Sequence, residues 1–465
     1  MQKGFQLIEP KILPPLDPDF RPAALANHHF LKQVAKSQQG VPLLIGLERS
    51  GGYLSHFTTQ VFPDLHPDAD ANLAYVERLL KFLLWQIGGW KVYVGGPKGI
   101  ADYIQKCYSE NGLRRFDYNF MQKDVYEKPF TVIHCDPHDV PTKKESSKSL
   151  GRHLDGCRVG FDLGASDRKS SAVIDGEPVF SEEIIWEPKN QSDPDYHYQE
   201  IMASIKAAAE KMPRVDAIGG SAAGIYIDNQ VRIASLFRGI PSEQYDKVRN
   251  LFIRIQEETG VPLEIINDGD VTALAGSMSL EENGILGIAM GSSEAGGYVD
   301  MKGNITGWLN ELAFAPVDYH SQAPVDEWSG DRGVGSQYFS QQCVFRLAPK
   351  AGIEVPAGIS DAEKLEFVQN LLENDHAGAK KIWQTIGCYL GYSIAHYADF
   401  YDLQHVLVLG RCTSGSGGKV IVDGAREVLK NQYPVILEKI NIQLPDERSR
   451  RVGQAIAAAS LPVIS

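Results

Sequence analysis

The segment Val261 to Gly276, VPLEIINDGDVTALAG, constrains the fold more than any other stretch of the chain. A β-rich apolar run (Val261, Leu263, Ile265, Ile266) stops at Asn267-Asp268-Gly269-Asp270, and the small-residue helical stretch Val271 to Ala275 follows at once. Strand, polar turn and helix in this order set Asn267 and Asp268 at the carboxyl end of a strand, where open α/β sheets place their chemistry. Asn, Asp and Gly are also the commonest turn formers, so this segment alone leaves an ordinary turn open.

The neighbouring segments fit an α/β fold. From Cys157 onward strands alternate with helices: Arg158 to Leu163, Ser170 to Ile174 and Val179 to Trp186 read as strands. A helix over 196–212, a strand at 215–219 and a helix over 245–257 follow. Two hydrophobic strands run into turns of tiny and hydroxyl residues, Gly164-Ala165-Ser166 and Gly291-Ser292-Ser293. Such turns bare N–H and hydroxyl groups that can cradle phosphate oxygens. A third strand, Val406 to Leu409, enters the glycine-rich stretch Gly410 to Gly418 and then a helix.

Upstream, residues 1 to 40 begin with a proline-punctuated extended segment. The apolar spacing of Leu73, Val76, Leu79, Leu80, Leu83, Leu84 and Ile87 predicts an amphipathic helix over 71–87. Strands at 41–47, 90–94 and 129–135 complete what reads as a small α/β unit, and the polar stretch 136–155 reads as a linker. At 465 residues the chain is long enough for two or three domains. A net charge of −13 argues against a general binder of nucleic acid or anionic membrane. Six scattered cysteines without a C-x-x-C pair point to reduced thiols in a cytoplasm, and the first twenty residues lack a secretory signal. The longest apolar stretch, Leu79 to Trp85, is interrupted by Lys81 and is too short to span a bilayer.

Phosphate turn, strand-end Asp, phosphate turn and glycine-rich strand exit, in that order, resemble the sugar-kinase, actin and Hsp70 superfamily, and within it the ROK family of sugar kinases and repressors. GFDLGASDRKSSAVID resembles that family's first phosphate loop, INDGDVTALAG its strand-end motif, and GILGIAMGSSEAGGYVDMKGNITGWLNELAF its second phosphate loop and sugar-contacting segment. VLVLGRCTSGSGG resembles the adenosine-side glycine stretch, so the likeness runs from Cys157 to residue 465. The resemblance implies an α/β, actin-like ATPase (ribonuclease H-like) two-lobed kinase fold, with the small N-terminal α/β unit and linker (1–155) added to it. The kinase region is then 156–465: a first lobe over about 156–270, a second over about 271–465, and a C-terminal helix that can return to the first lobe.

The implied activity is ATP-dependent phosphorylation of a sugar or sugar derivative. Asp268 would be the general base, and Asn267 and Glu311 would bind sugar hydroxyls. Asp162 would organise Mg²⁺ through water. Gly164, Ala165, Ser166, Gly291, Ser292 and Ser293 would face the triphosphate of ATP, and Gly410, Gly417 and Gly418 would pack beside the nucleotide. A small-molecule sugar is the implied partner, without nucleic acid or membrane; a homo-oligomer stays open.

Three departures from the family pattern favour an alternative, a catalytically impaired sugar- or nucleotide-binding regulator. Phe314 replaces the His that follows the Gly-Glu pair. Trp328 to Ser336 keeps the glycines of the Cys-rich segment but not its cysteines or sugar-binding Glu, so no structural zinc is expected. His320 or Asp318 could replace a lost sugar contact. Glu294 follows the second serine turn, where its direction decides whether it repels phosphate, and Arg168 or Lys169 could reach a phosphate beside the first turn.

Overall fold

The computed structural model describes residues 4–145, 150–445 and 447–464. The chain divides into two compact units. The first holds Met1–Ser146, Ile288–Gly296 and Gly307–Leu444, and the second Ser147–Gly287, Gly297–Thr306 and Pro445–Ser465.

In the first unit, strands β1 (Val41–Glu48), β2 (Leu54–Val61), β3 (Lys91–Gly95) and β4 (Thr131–Cys135) form a sheet in the order β2-β1-β3-β4. The helix Asp70–Gln86 buries the predicted stripe from Val76 to Leu84 and leaves Leu73 half-buried, and it buries Phe82 and Trp85 as well. A helix buried on nearly every side needs partners on nearly every side. Phe82 stacks on Phe400 with ring centroids 4.0 Å apart, and Trp85 packs 4.4 Å from Phe314. The central helix of the first 135 residues, expected to form a small α/β unit of their own, thus completes its core with residues more than two hundred positions later. The helix Ala23–Ser37 was also not read from the sequence, where the preceding prolines dominate.

The second unit is built on β5 (Cys157–Leu163), β6 (Asp167–Ile174), β7 (Glu177–Ile185), β8 (Ala217–Ala222) and β11 (Leu263–Asn267), in the order β11-β8-β5-β6-β7. A small hairpin, β9 (Ile225–Ile227) and β10 (Gln230–Ile233), lies between β8 and β11 in sequence. β5, β8 and β11 run parallel, while β6 and β7 are antiparallel to their neighbours. Every residue of β5 is buried, because both faces of the sheet are covered. Phe161 joins Ile201, Phe237, Phe252 and Ile265 in an apolar cluster on one face. On the other lies the helix Glu447–Ala459, pressed so close that a Cβ on Gly160 or Gly219 would fall 1.8 or 1.7 Å from the carbonyl oxygens of Ala455 and Ala458. Gly160 and Gly219 are register partners on β5 and β8, so the approach is backbone to backbone across both strands.

A further sheet, in the order β13-β12-β14-β15, is made of β12 (Ile285–Met290), β13 (Glu294–Val299), β14 (His405–Leu409) and β15 (Asn441–Gln443). All six cysteines are free thiols. Among the described residues no helix is long and apolar enough to cross a membrane.

Candidate active site

In the second unit the parallel strands bring their carboxyl ends into line. Asp162 on β5 is opposite Ser221 on β8, and Leu163 and Asn267 are both opposite Ala222. β11 ends at Asn267 because that side chain caps the next helix: its oxygen accepts the Gly269 N–H at 2.7 Å, and the helix runs from Asp268 to Leu280. The Asn267 amide donates to the Gly224 carbonyl at 2.8 Å, which leaves one amide hydrogen for an outside acceptor. The residue assigned to a sugar hydroxyl is thus first of all a cap.

Asp268 is half-buried at the first position of that helix, and its Oδ1 accepts the Gly269 N–H at 3.0 Å. Burial, with the charge of Asp162 added, pushes its carboxyl up to about 6. Asp162 is 7% exposed, and its Oδ1 accepts the Ser221 hydroxyl at 2.7 Å. Burial raises its pKa as well, while Ser221 and the charge of Lys169 pull against the rise. Asp162 and Asp268, at the ends of β5 and β11 with β8 between them, are hard oxygen donors of the kind Mg²⁺ takes, and Ser221 occupies only one oxygen of Asp162. The donor set fits the metal.

The first serine turn closes with the Gly164 N–H donating to the Asp167 carbonyl at 2.8 Å and leaves Ala165 and Ser166 exposed. Trp186 clamps it from below, its indole N–H donating to the Gly164 carbonyl at 2.9 Å and its backbone N–H to that of Ser166 at 3.1 Å. Arg168 is 4% exposed, bonded to Ser204 and Glu200 on the neighbouring helix, and does not serve the turn. Lys169 points to the opposite face, the face of Asp162.

The remaining expected residues belong to the first unit. Gly291 donates to the Ser293 carbonyl at 3.0 Å, which leaves Ser292 and Ser293 exposed. Gly410, with φ +96°, lies so close to Met290 that a Cβ would fall 2.5 Å from its carbonyl oxygen. Gly417 and Gly418 are buried, and Cβ atoms there would meet Trp383 and the Thr413 carbonyl, so packing within the unit already requires both to be small. Glu311 is half-buried, its N–H donating to the Trp85 carbonyl at 2.9 Å.

Glu294 is 3% exposed and packs against Gly335, where a Cβ would lie 1.9 Å from its Oε2. Burial lifts its carboxyl to about 8; the Tyr397 hydroxyl at 3.5 Å opposes the rise, and Glu311 adds to it. It is therefore largely uncharged at neutral pH. Phe314 lies within an aromatic cluster with Trp85, Phe116 and Trp328. In the loop expected to lack zinc, both oxygens of Asp326 are used, accepting hydroxyls of Ser329 at 2.7 Å and Ser336 at 2.8 Å. Asp318, considered as a substitute sugar contact, accepts the Tyr338 hydroxyl at 2.6 Å and the Arg21 and His320 N–H groups.

No protein-family model matches the chain, and no curated protein matches it. Solved structures do. A ROK hexokinase from Thermus thermophilus superposes with a TM-score of 0.50 at 18% identity, over 65% of this chain and 97% of that one. A ROK family transcriptional regulator, described as a homolog of the E. coli MLC protein, gives 0.51 at 17% identity, over 66% and 78%. The chain has the ROK fold. Its α/β architecture is accordingly that of the actin-like ATPases, as the order of motifs led one to expect. Within the ROK fold, the sequence reading named Asp162 and Asp268 but missed Ser221, whose pairing with Asp162 depends on strand register, and Tyr226, close enough to Asp268 to feel its charge.

Proposed function

We propose that the protein transfers a phosphoryl group from ATP to a hydroxyl of a sugar or sugar derivative, with Asp268 as general base. The observation that carries this reading is the placement of Asp268 and Asp162 at the carboxyl ends of the parallel strands β11 and β5, where burial and the charge of Asp162 lift the Asp268 carboxyl to about 6. A base with a pKa near neutrality is ionised at working pH yet still takes a proton readily. Asp162 would hold Mg²⁺ through water, and the metal supplies charge neutralisation at the phosphate oxygens. Asn267, through its free amide hydrogen, and Glu311 are assigned to sugar hydroxyls. The exposed Ala165-Ser166 and Ser292-Ser293 tips, with their glycines 164 and 291, are assigned to phosphate oxygens. Gly410, Gly417 and Gly418 are assigned to the nucleotide side. Phosphoryl transfer asks for positioning and charge neutralisation more than covalent chemistry, so one well-placed carboxylate suffices as base.

The test is phosphotransfer from Mg-ATP over a panel of hexoses, hexosamines and N-acetylated sugars. Asp268→Asn is expected to lower turnover by about a hundred- to ten-thousand-fold, the usual contribution of a general base. The parent's kcat/KM should rise through pH 6 and level off above it, because the base is active only when ionised. Unchanged turnover in Asp268→Asn would reject the assignment. The fold shared with a transcriptional regulator supports a second reading, a binding protein without turnover. Calorimetric binding of Mg-ATP or sugar with no phosphotransfer on any sugar would favour it.

A further inference from the structure

Lys169 is the one candidate phosphate-reaching cation of the first turn that keeps the face of Asp162. It lies opposite Asp162 in the antiparallel register of β5 and β6, and directly opposed residues carry their side chains on the same face about 5 Å apart. Its charge reaches the Asp162 carboxylate, and its ammonium also pairs with Asp167 at 3.3 Å. The side chain is 26% exposed, so the ammonium is held but not sealed. Arg168, one residue earlier, is turned through the sheet to Glu200 and Ser204, as strand alternation requires.

We propose that Lys169 is a phosphate-binding residue for the nucleotide: its ammonium, kept beside Asp162 by the Asp167 pair, binds an oxygen of the polyphosphate presented to the Gly164–Ser166 turn. The inference rests on the kinase reading. It gives the turn a point charge that its backbone N–H groups lack. Asp167 acts as a tether, since an exposed pair of this kind holds a side chain in place at little energetic cost to release.

The experiment measures binding of a non-hydrolysable ATP analogue with Mg²⁺ by calorimetry, beside steady-state kinetics, in the full chain. Lys169→Met is expected to weaken nucleotide binding about tenfold or more, the size of one charge-assisted hydrogen bond. The KM for sugar and the melting temperature should stay as in the parent, and Lys169→Arg should restore most of the loss. Equal nucleotide affinity in Lys169→Met and the parent would overturn the proposal and leave the kinase reading standing. A loss in Asp167→Asn as large as in Lys169→Met would also overturn it, because the pair and not the cation would then matter. A parent chain that binds no nucleotide would instead overturn the kinase reading, and this inference with it.

Discussion

Asp268 stands at the first position of a helix, where the dipole favours its anion, yet burial and Asp162 hold its carboxyl near 6. The folded protein therefore binds a proton more tightly there than the unfolded chain does, and the contribution to stability falls as pH rises from about 4 to about 6. Glu294 obeys the same sign with a longer reach, from its ordinary 4.5 to about 8. Glu294→Gln, which mimics the protonated side chain, is expected to melt at the parent's temperature at pH 4. It should melt progressively above the parent up to pH 8, and by a constant margin beyond. Thermal melts across that range check this; a margin independent of pH would contradict the buried, uncharged carboxyl. Asp268 was legible at the residue scale because a strand-end acid announces itself in the sequence. Glu294 was noticed there, but its direction was not legible, since that depends on Gly335, forty-one residues away.

The strand–cap–helix unit at 263–280 could be read locally because each of its parts is written locally: the β-rich run, the Asn cap and the small helical residues. The serine turns could be read for the same reason. What could not be read was pairing. That Ser221 bonds Asp162, or that Lys169 faces Asp162 while Arg168 does not, follows from which strands are neighbours and in what register. Gly160 and Gly219 belong to this class too, since neither lies in a turn; each is small because a helix carbonyl occupies the place of its Cβ. Gly219→Ala is expected to cost about 3 kcal/mol, the upper end of ordinary overpacking. Chemical denaturation checks it, with Gly260→Ala, which meets nothing within 4 Å, as a comparison for backbone strain alone. A cost at Gly219 no larger than that at Gly260 would mean that the helix yields.

Over the whole chain, sequence order and unit membership part company: the first unit draws on three separate stretches, and so does the second. Linear reading put a boundary in the polar stretch 136–155. It could not foresee that the segment before it shares a unit with residues 307–444. The charges that join these parts are individually unremarkable in sequence. Lys81 bonds Asp117 at 2.8 Å and Asp331 at 2.5 Å, while Arg114 bonds Glu77 and reaches Asp331 at 2.6 Å. Lys81 and Asp117 are fully buried. Asp331→Asn should destabilise the protein by about 3 to 5 kcal/mol, because two buried cations lose a shared counter-charge; an unchanged denaturation midpoint would contradict it. The helix laid over Gly160 and Gly219 has a consequence for biosynthesis. It leaves the ribosome about 180 residues after β11, the last strand of that sheet, a delay of roughly 9 to 36 s at common elongation rates. For that interval the nascent sheet has a bare glycine track where its cover belongs, the kind of unfinished surface through which growing chains aggregate.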